Sequence, residues 1–556
     1  MKSVMSKDFS RIPQTECPRS VFDRSHGVKT AFDSGYLVPI EVQEVIPGDD
    51  VKMDANLFAR LAPAITPPMD NVFLDQHWFF VPSRLLWNNF TKMMGERVNP
   101  QDSIDYLVPQ INSGENGFEI GSLADYFGIP TGVPNLNVNV LPFRAYAKIW
   151  DDWYRDENLQ ESIIQRSSDL DDDTSTKPWN TLKRRGKRHD YFTSCLPWPQ
   201  KGDATTVPFE YKDTALQMRA ANGEYLNYSN ILTGDTEYGD KYKGKPVTFS
   251  NAYGANEAQI GFTDGEDEYA FEGNSAIAGD LGNLFVDFSK GISVTINALR
   301  MAFQIQRMLE TDARSGTRYV ELIRSHFKTI CPDARLQRSE YLGGCSQLIN
   351  FNTVVQTSGT TQSTSTSPTT PQGTLCSNGN VFGKCRWSKA FTEHGYIIGL
   401  VNVRCDLNYQ QGLARMWSRR GRYDFFWPTL QNVGEQAVLN KEIYAQGNNA
   451  TGESETDYID DHVFGYQERY AEYRYNPSII TGKMRSQAQD TLDIWHLAQK
   501  FDELPTLSPS FIEDNPPLNR ILSVTDQPQL IMDCYLSQRW ARPMLTYSVP
   551  GLIDHL

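Results

Sequence analysis

Residues 183–203, KRRGKRHDYFTSCLPWPQKGD, decide how the chain is to be read. Five cations, Lys183, Arg184, Arg185, Lys187 and Arg188, open it, and His189, Asp190 and Tyr191 lead on into Leu196-Pro197-Trp198-Pro199. The two prolines lack an N–H and have a fixed φ, which excludes helix interior and central strand at this end. The stretch reads as a rigid, extended, aromatic connector leaving a polar turn. His189-Asp190 resembles half of a metal site, but one His and one Asp are too few ligands, so its reading is structural.

On the N-terminal side, Tyr146, Ile149, Trp150 and Trp153 recur at three- and four-residue steps, which predicts a helix over 144–164 with one apolar face. Residues 99–142, rich in Gly, Pro and Asn, read as a surface excursion. Asp171-Asp172-Asp173 reads as a solvated acidic turn. On the C-terminal side, 203–288 is Gly-rich and acidic and carries most of the chain's net charge of −15. Its apolar periodicity is weak, so it reads as a surface insertion.

Farther out, strand patterns dominate. Val38, Ile40 and Val42 alternate with polar residues. Residues 72–81, VFLDQHWFFV, are apolar on both parities and predict a strand buried on both faces, with His77 a hydrogen-bonded core histidine. Further strands are expected at 346–356, 395–407 and 530–536. In 395–407, Asn402, Arg404 and Asp406 share one parity, which predicts a wet or interfacial face. Ile296, Leu299, Ala302, Ile305 and Leu309 predict the clearest helix, with a second over 318–327. Residues 357–373, TSGTTQSTSTSPTTPQG, read as a mobile loop. Residues 466–475, tyrosine-rich and charged, suit a polar contact between subunits.

At 556 residues the chain exceeds the usual size of a single core. With 12% aromatic and 22% charged residues it is globular and suited to large buried interfaces. The acidic balance argues against a surface that wraps duplex DNA, although it leaves room for a local basic patch. Eight cysteines form neither a disulfide scaffold nor a zinc pattern; Cys376 and Cys385 could close a hairpin, but free thiols are favoured. The start of the chain has no signal-peptide core, and no apolar run is long enough for a bilayer, so no membrane insertion is expected. Residues 1–29 hold Lys2, Lys7, Arg11, Arg19 and Arg24 with little periodicity and read as a basic arm. Short strands with long connections and irregular helices predict an antiparallel sandwich or barrel.

The connector RHDYFTSCLPWPQKG resembles the signature of microvirus major capsid proteins, the gokushovirus branch in particular. The likeness continues through SRIP (10–13), FDRS (22–25), DQHWFFVPSRLLW (75–87) and DARLQRSEYLGG (333–344). It extends through GYIIGLVNVRCDLNYQQG (395–412), YQERYAEYRYNPSIITG (466–482) and LDIWHLAQKF (492–501), so it spans nearly the whole chain. Cys195 and Cys405 depart from it, standing where small residues are expected. The resemblance implies a mainly β chain: a single viral jelly roll, an eight-stranded antiparallel β-sandwich with long loop insertions and a few helices. It implies sixty copies in a T=1 icosahedral shell, joined by five-, three- and two-fold contacts around circular single-stranded DNA and assembled in the bacterial host's cytoplasm. Implied partners are a minor capsid or DNA-pilot protein and a host receptor; no cofactor, metal or catalytic residue is implied. Four regions follow: an interior arm (1–29), the first part of the jelly roll (30–202), an outward three-fold protrusion (203–288), and the remaining strands with helices (289–556).

Residue expectations follow from both readings. The cations of 2–24, with Lys183, Arg184, Arg185, Lys187 and Arg188, are candidate DNA contacts. For the second group a solvated turn or inter-subunit salt-bridge patch competes equally. Trp198, Trp417, Trp427, Tyr470 and Tyr473 are candidate subunit-interface residues, and Phe249, Tyr253, Phe262 and Tyr269 candidate host-contact residues on the protrusion. The competing function is a secreted or phage-borne carbohydrate-active enzyme, or a glycan-binding β-sandwich.

Overall fold

The computed structural model describes residues 18–96, 99, 101–103, 105–163, 181–202, 297–314, 337–360, 370–447 and 458–547. It also describes the backbone of Ile296 and of short strands between 172 and 293. The chain divides into a unit of Met1–Pro199 with Asp312–Leu556, and a smaller unit, Gln200–Thr311.

In the larger unit the strands that carry the architecture run β1 (Ser20–Asp23), β2 (His26–Phe32), β3 (Val38–Val45), β4 (Asp50–Leu61) and β5 (Val72–Pro82). After the smaller unit come β6 (Glu340–Leu348), β7 (Asn350–Val355), β8 (Leu375–Ala390), β9 (Gly395–Cys405) and β10 (Glu435–Leu439). β11 (Val463–Glu468) and β12 (Leu530–Arg542) complete the set. One sheet has the order β1–β12–β4–β8–β7, with β2 also on β12; the other has β6–β5–β9–β3. The pairing is antiparallel and nested: β1 and β2 with β12, β3 with β9, β4 with β8, β5 with β6.

Alternation builds the core between these sheets. Val51, Met53, Ala55, Leu57, Ala59 and Leu61 of β4 all point inward, as do Leu530, Met532, Cys534, Leu536 and Trp540 of β12. They share one core with Val72, Leu74, Trp78 and Phe80 of β5 and with Ile397, Val401 and Val403 of β9. Gly399 permits this packing, since a Cβ there would lie 2.5 Å from the Trp78 ring. The second sheet is apolar on its other face too, where Phe79, Val81, Ile398 and Leu400 meet helix α1 (Leu141–Trp153). That accounts for the unbroken burial of β9 and confirms the doubly buried reading of β5. His77 is hydrogen-bonded as expected, its Nδ1 2.6 Å from the Tyr154 hydroxyl.

Several expectations need correction. The arm is shorter than 1–29, because Ser20–Phe32 keeps one constant register against β12. At the break the Arg24 N–H donates to Gln538 O, and the Ser25 hydroxyl accepts from the Gln538 N–H at 3.1 Å. Residues 99–142 are not merely surface: Ile111, Phe118, Leu123 and Val140 pack under α1, which begins at Leu141 and ends at Trp153. Asn402 and Arg404 are buried, because β9 is central and covered on both faces. Their polarity serves internal partners: Asn402 donates to Tyr36 O (2.9 Å), and Arg404 Nε lies 2.8 Å from Asp75 Oδ2. The free thiols favoured for Cys376 and Cys385 are borne out, since the two lie on one strand, too far apart along it for a bridge. The stem of the 357–373 loop is tied by Thr360 and Thr370, which exchange backbone hydrogen bonds. Residues 318–327 lie outside the described residues.

A third core, around Tyr191, Phe192, Cys195, Tyr409, Val438, Ile443, Phe464 and Phe511, gathers the long connections. In the smaller unit, Gln259–Asp264 pairs with Thr248–Ser250 and with Asp267–Ala270. Met218–Arg219 pairs with Phe285–Val286, and Glu210–Tyr211 with Ile292–Ser293, so this excursion also closes in nested pairs. The expected helix is α2 (Ile296–Arg314), along which Ala302 and Ala313 are buried and Met301, Phe303 and Met308 are exposed.

One network joins the two sheets. His26 Nε2 lies 2.9 Å from the buried carboxylate of Glu41, which accepts from Gln538 Nε2 at 2.8 Å. Gln538 Oε1 in turn accepts from the Trp540 indole at 2.7 Å. His26 Nδ1 lies 3.0 Å from Arg24 O, so both ring nitrogens face acceptors and the ring is an imidazolium. The Glu41 hydrogen bond is the largest influence raising its pKa, to about 9. The folded value is raised, so the contribution to stability is complete below the unfolded pKa near 6.5 and is lost as pH rises through about 9. The thermal midpoint of the unassembled subunit should fall across that window. His26→Ala should flatten the step, and an identical step in the variant would place the titration elsewhere.

Candidate assembly surface

The opening connector organises this surface. Asp190 Oδ1 accepts from the N–H groups of Phe192 (2.9 Å) and Thr193 (2.8 Å), so the His-Asp pair closes a turn and leaves His189 exposed. Tyr191 and Phe192 drop into the third core, and Leu196 exchanges backbone hydrogen bonds with Tyr466 of β11 at 2.8 Å each way. The Tyr191 hydroxyl donates to Glu442 (2.9 Å), whose carboxylate also accepts from Arg415 Nη1 (2.9 Å) and the Leu439 N–H (3.0 Å). Burial pushes the Glu442 pKa up, a rise that Arg415 only partly opposes, at the root of the next segment.

That segment, 413–433, runs outward from β9 towards β10 and exposes Met416 (57%), Trp417 (70%), Tyr423 (69%), Phe425 (52%) and Trp427 (39%). It is nonetheless held in place. Arg419 lies over Tyr473 (4.3 Å) and pairs with Glu472 (3.2 Å). Arg422 lies over Trp427 (4.8 Å), whose indole donates to Arg422 O (3.0 Å). The buried Tyr470, at φ 64°, donates its hydroxyl to Phe425 O (3.1 Å). Gly412 seats the segment, since a Cβ there would lie 1.9 Å from Glu442 O. Exposed aromatic side chains whose segment is held in place before binding are what a protein–protein contact needs.

Similarity along nearly the whole chain identifies the family. The chain matches the family model "Capsid protein (F protein)" over residues 10–552. The chain belongs to that family. It is 45% identical to capsid protein VP1 of Bdellovibrio phage phiMH2K, over 98% of this chain and 97% of the relative. It is 41% identical to capsid protein VP1 of Chlamydia phage 1 (99% and 98% covered) and 36% identical to that of Spiroplasma virus 4 (99% and 100%). As a member of this capsid family it is the major shell protein of a single-stranded DNA microvirus, a virion component and not an enzyme. The carbohydrate-active and glycan-binding alternatives are set aside by that similarity. A capsid protein assembles with copies of itself.

The structure separates the expected interface residues. Trp417, Trp427 and Tyr473 lie exposed on one surface, Tyr470 is its buried support, and Trp198 is half-buried with its indole N–H enclosed and unbonded. Met416, Tyr423 and Phe425 are exposed on the same segment, and the run GLARMWSRRGRYDFFW sets these large apolar residues among cations. The expected DNA contacts are separated as well. Lys2, Lys7 and Arg11 lie outside the described residues. Arg19 donates to Gly48 O (2.7 Å), and Arg24 lies over Trp540 (4.6 Å). Lys183 lies over Trp150, Arg184 over Tyr36 and Lys187 over Phe511, while Arg185 bonds Asp75. Of that group Arg188 alone is exposed. The cluster is therefore mostly internal packing, because cations on long stems cover aromatic faces. On the acidic insertion, Phe262 stands opposite Tyr269 and Phe249 opposite Ile260 in register, while Tyr253 lies outside the described residues. Among the described residues no cluster of acidic, His and Cys side chains forms a metal site, and no helix is long and apolar enough to cross a membrane.

Proposed function

We propose that this capsid protein is a single jelly roll that builds a T=1 shell around circular single-stranded DNA. In this reading 413–433 is a subunit contact, the arm before Pro18 reaches the genome, and 203–288 forms the outward three-fold protrusion that meets the host. The observation that carries it is the nested strand pairing. Counting β1 with β2 and leaving aside β7 and the separate pair β10–β11, the first of eight strands pairs with the last, the second with the seventh, the third with the sixth and the fourth with the fifth. That order is the one expected of a hairpin rolled on itself into a double Greek key, which supports the jelly-roll reading. The long insertions leave from the ends of those strands, where neighbouring copies can meet. A carboxylate-rich 203–288 facing the genome would repel phosphate, which favours an outward position. A minor or pilot protein remains a partner implied by the family alone.

Two variants test the assignment. Replacing 212–280 by a short Gly/Ser linker should leave particles assembled and abolish attachment to host cells. Exchanging Lys2, Lys7 and Arg11 for glutamine should lower packaged DNA without stopping shell formation. Particles that still infect, or that hold unchanged DNA, would remove the corresponding role.

A further inference from the structure

A cavity of about 410 Å³ lies where the end of α1 meets the basic stretch and the start of β6. This volume is within the range of small-ligand pockets. Trp153 and Tyr341 line it and are 41% and 43% exposed, with ring centroids 5.8 Å apart. The Trp153 ring cannot swing freely, because its indole N–H donates to Ser339 O (3.1 Å) and Ser339 is itself held by Asp152 (2.8 Å). Tyr341 rests on Phe79 (5.5 Å). The opposite wall runs from Arg185 to His189 and carries the cations Arg185, Lys187 and Arg188. Arg188 and His189 are exposed, and among the described residues their side chains hold no hydrogen bond or ion pair. The one carboxylate in the lining, Asp156, is turned into its own loop and accepts from the N–H groups of Asn158 (2.9 Å) and Leu159 (3.2 Å).

We infer that this pocket takes one unpaired nucleotide of single-stranded DNA, the base against Tyr341 at the edge of Trp153, whose ring already carries Arg338 at 5.4 Å, and the phosphate on Arg188 and His189. The inference rests on the reading that the shell contacts its genome directly, and it names where. A fixed aromatic face beside an unpaired cation is the combination that holds single strands without sequence preference, since every base offers a π face. The charge balance favours a phosphate-bearing ligand over a protein side chain. The cationic wall also explains why Arg188 and His189 are left outside the packing that absorbs the preceding cations.

Full-length subunits should be titrated with a short oligothymidylate at several salt concentrations. Tyr341→Ala should weaken binding about ten-fold, and Tyr341→Phe should restore it. Arg188→Gln should lower the salt slope of the binding constant by about 0.7, a change that a merely structural role would not produce. Native affinity and slope in both Tyr341→Ala and Arg188→Gln would overturn the pocket while leaving genome contact elsewhere intact. No affinity in the native subunit would overturn both. Variants that bind normally but no longer form particles would make the cavity a contact between copies, and would also overturn it.

Discussion

Replacing Trp417 and Tyr423 together by alanine should stop particles from forming while leaving the subunit folded. Both side chains are about 70% exposed, so little of the chain's own packing is lost. Exposed substitutions of this kind usually move stability by about 0.5 kcal/mol or less. Buried against a neighbour, each is the kind of aromatic anchor whose truncation costs about 2 kcal/mol or more. A loss of about 2–4 kcal/mol lowers one contact constant roughly 30- to 1000-fold. A closed shell repeats that contact in every subunit, so the assembly threshold should move beyond reachable concentrations. Sedimentation would read particle yield, and urea unfolding of the unassembled subunit would read the fold. Normal yield would exclude 413–433 from the shell contacts. A subunit that fails to unfold cooperatively would mean that the aromatic surface serves the chain itself.

The second large effect lies in the core. Asp75→Ala should cost about 3–5 kcal/mol, because it strands two guanidiniums in a buried site. Arg404 and Arg185 both bind Asp75, and Arg404 is 3% exposed with Phe73 stacked on it at 4.4 Å. Burial pushes the Asp75 carboxyl up, but the Ser346 hydrogen bond and the charges of Arg185 and Arg404 outweigh it and hold the pKa at about 2. The folded value is depressed, so this contribution is present above the unfolded pKa near 3.8 and is lost as pH falls through about 2. Domains are typically stable by only about 5–15 kcal/mol, so the variant should unfold at markedly lower urea. A shift worth less than about 1 kcal/mol would mean that water reaches the pair.

The strands legible in the sequence were those with an unbroken signal. The doubly apolar run of β5 and the alternation of β12 can be read directly because each residue's burial matches its type. β8 escaped notice: in LCSNGNVFGKCRWSKA the inward positions are held largely by Ser377, Gly379, Val381 and Gly383, too small and mixed to mark a face. Arg404 misled in the other direction, since a charge paired inside a sheet has the same sequence pattern as a charge facing water. The basic stretch misled for a related reason. Its cations announce solvent or phosphate, yet Tyr36, Trp150 and Phe511 receive most of them, and those aromatics are distant in sequence. Trp153 and Tyr341 could not be joined from sequence at all, as the Gln200–Thr311 unit separates them along the chain.

The nested pairing also sets a clock. Gln538 meets Ser25 across 513 positions of sequence, and β12 lies between β1–β2 on one side and β4 on the other. At about 5–20 residues per second, the N-terminal strands wait on the order of a minute on the ribosome before their neighbour exists. Until Leu530 emerges, one sheet lacks its inner strand and two edges stay open to any passing β-segment. A prematurely terminated chain is thus left with a gap in its sandwich that no local rearrangement fills. Emergence of β12 and closure of the sandwich become the same event, so the order of the strands alone keeps half-built copies from presenting a finished surface.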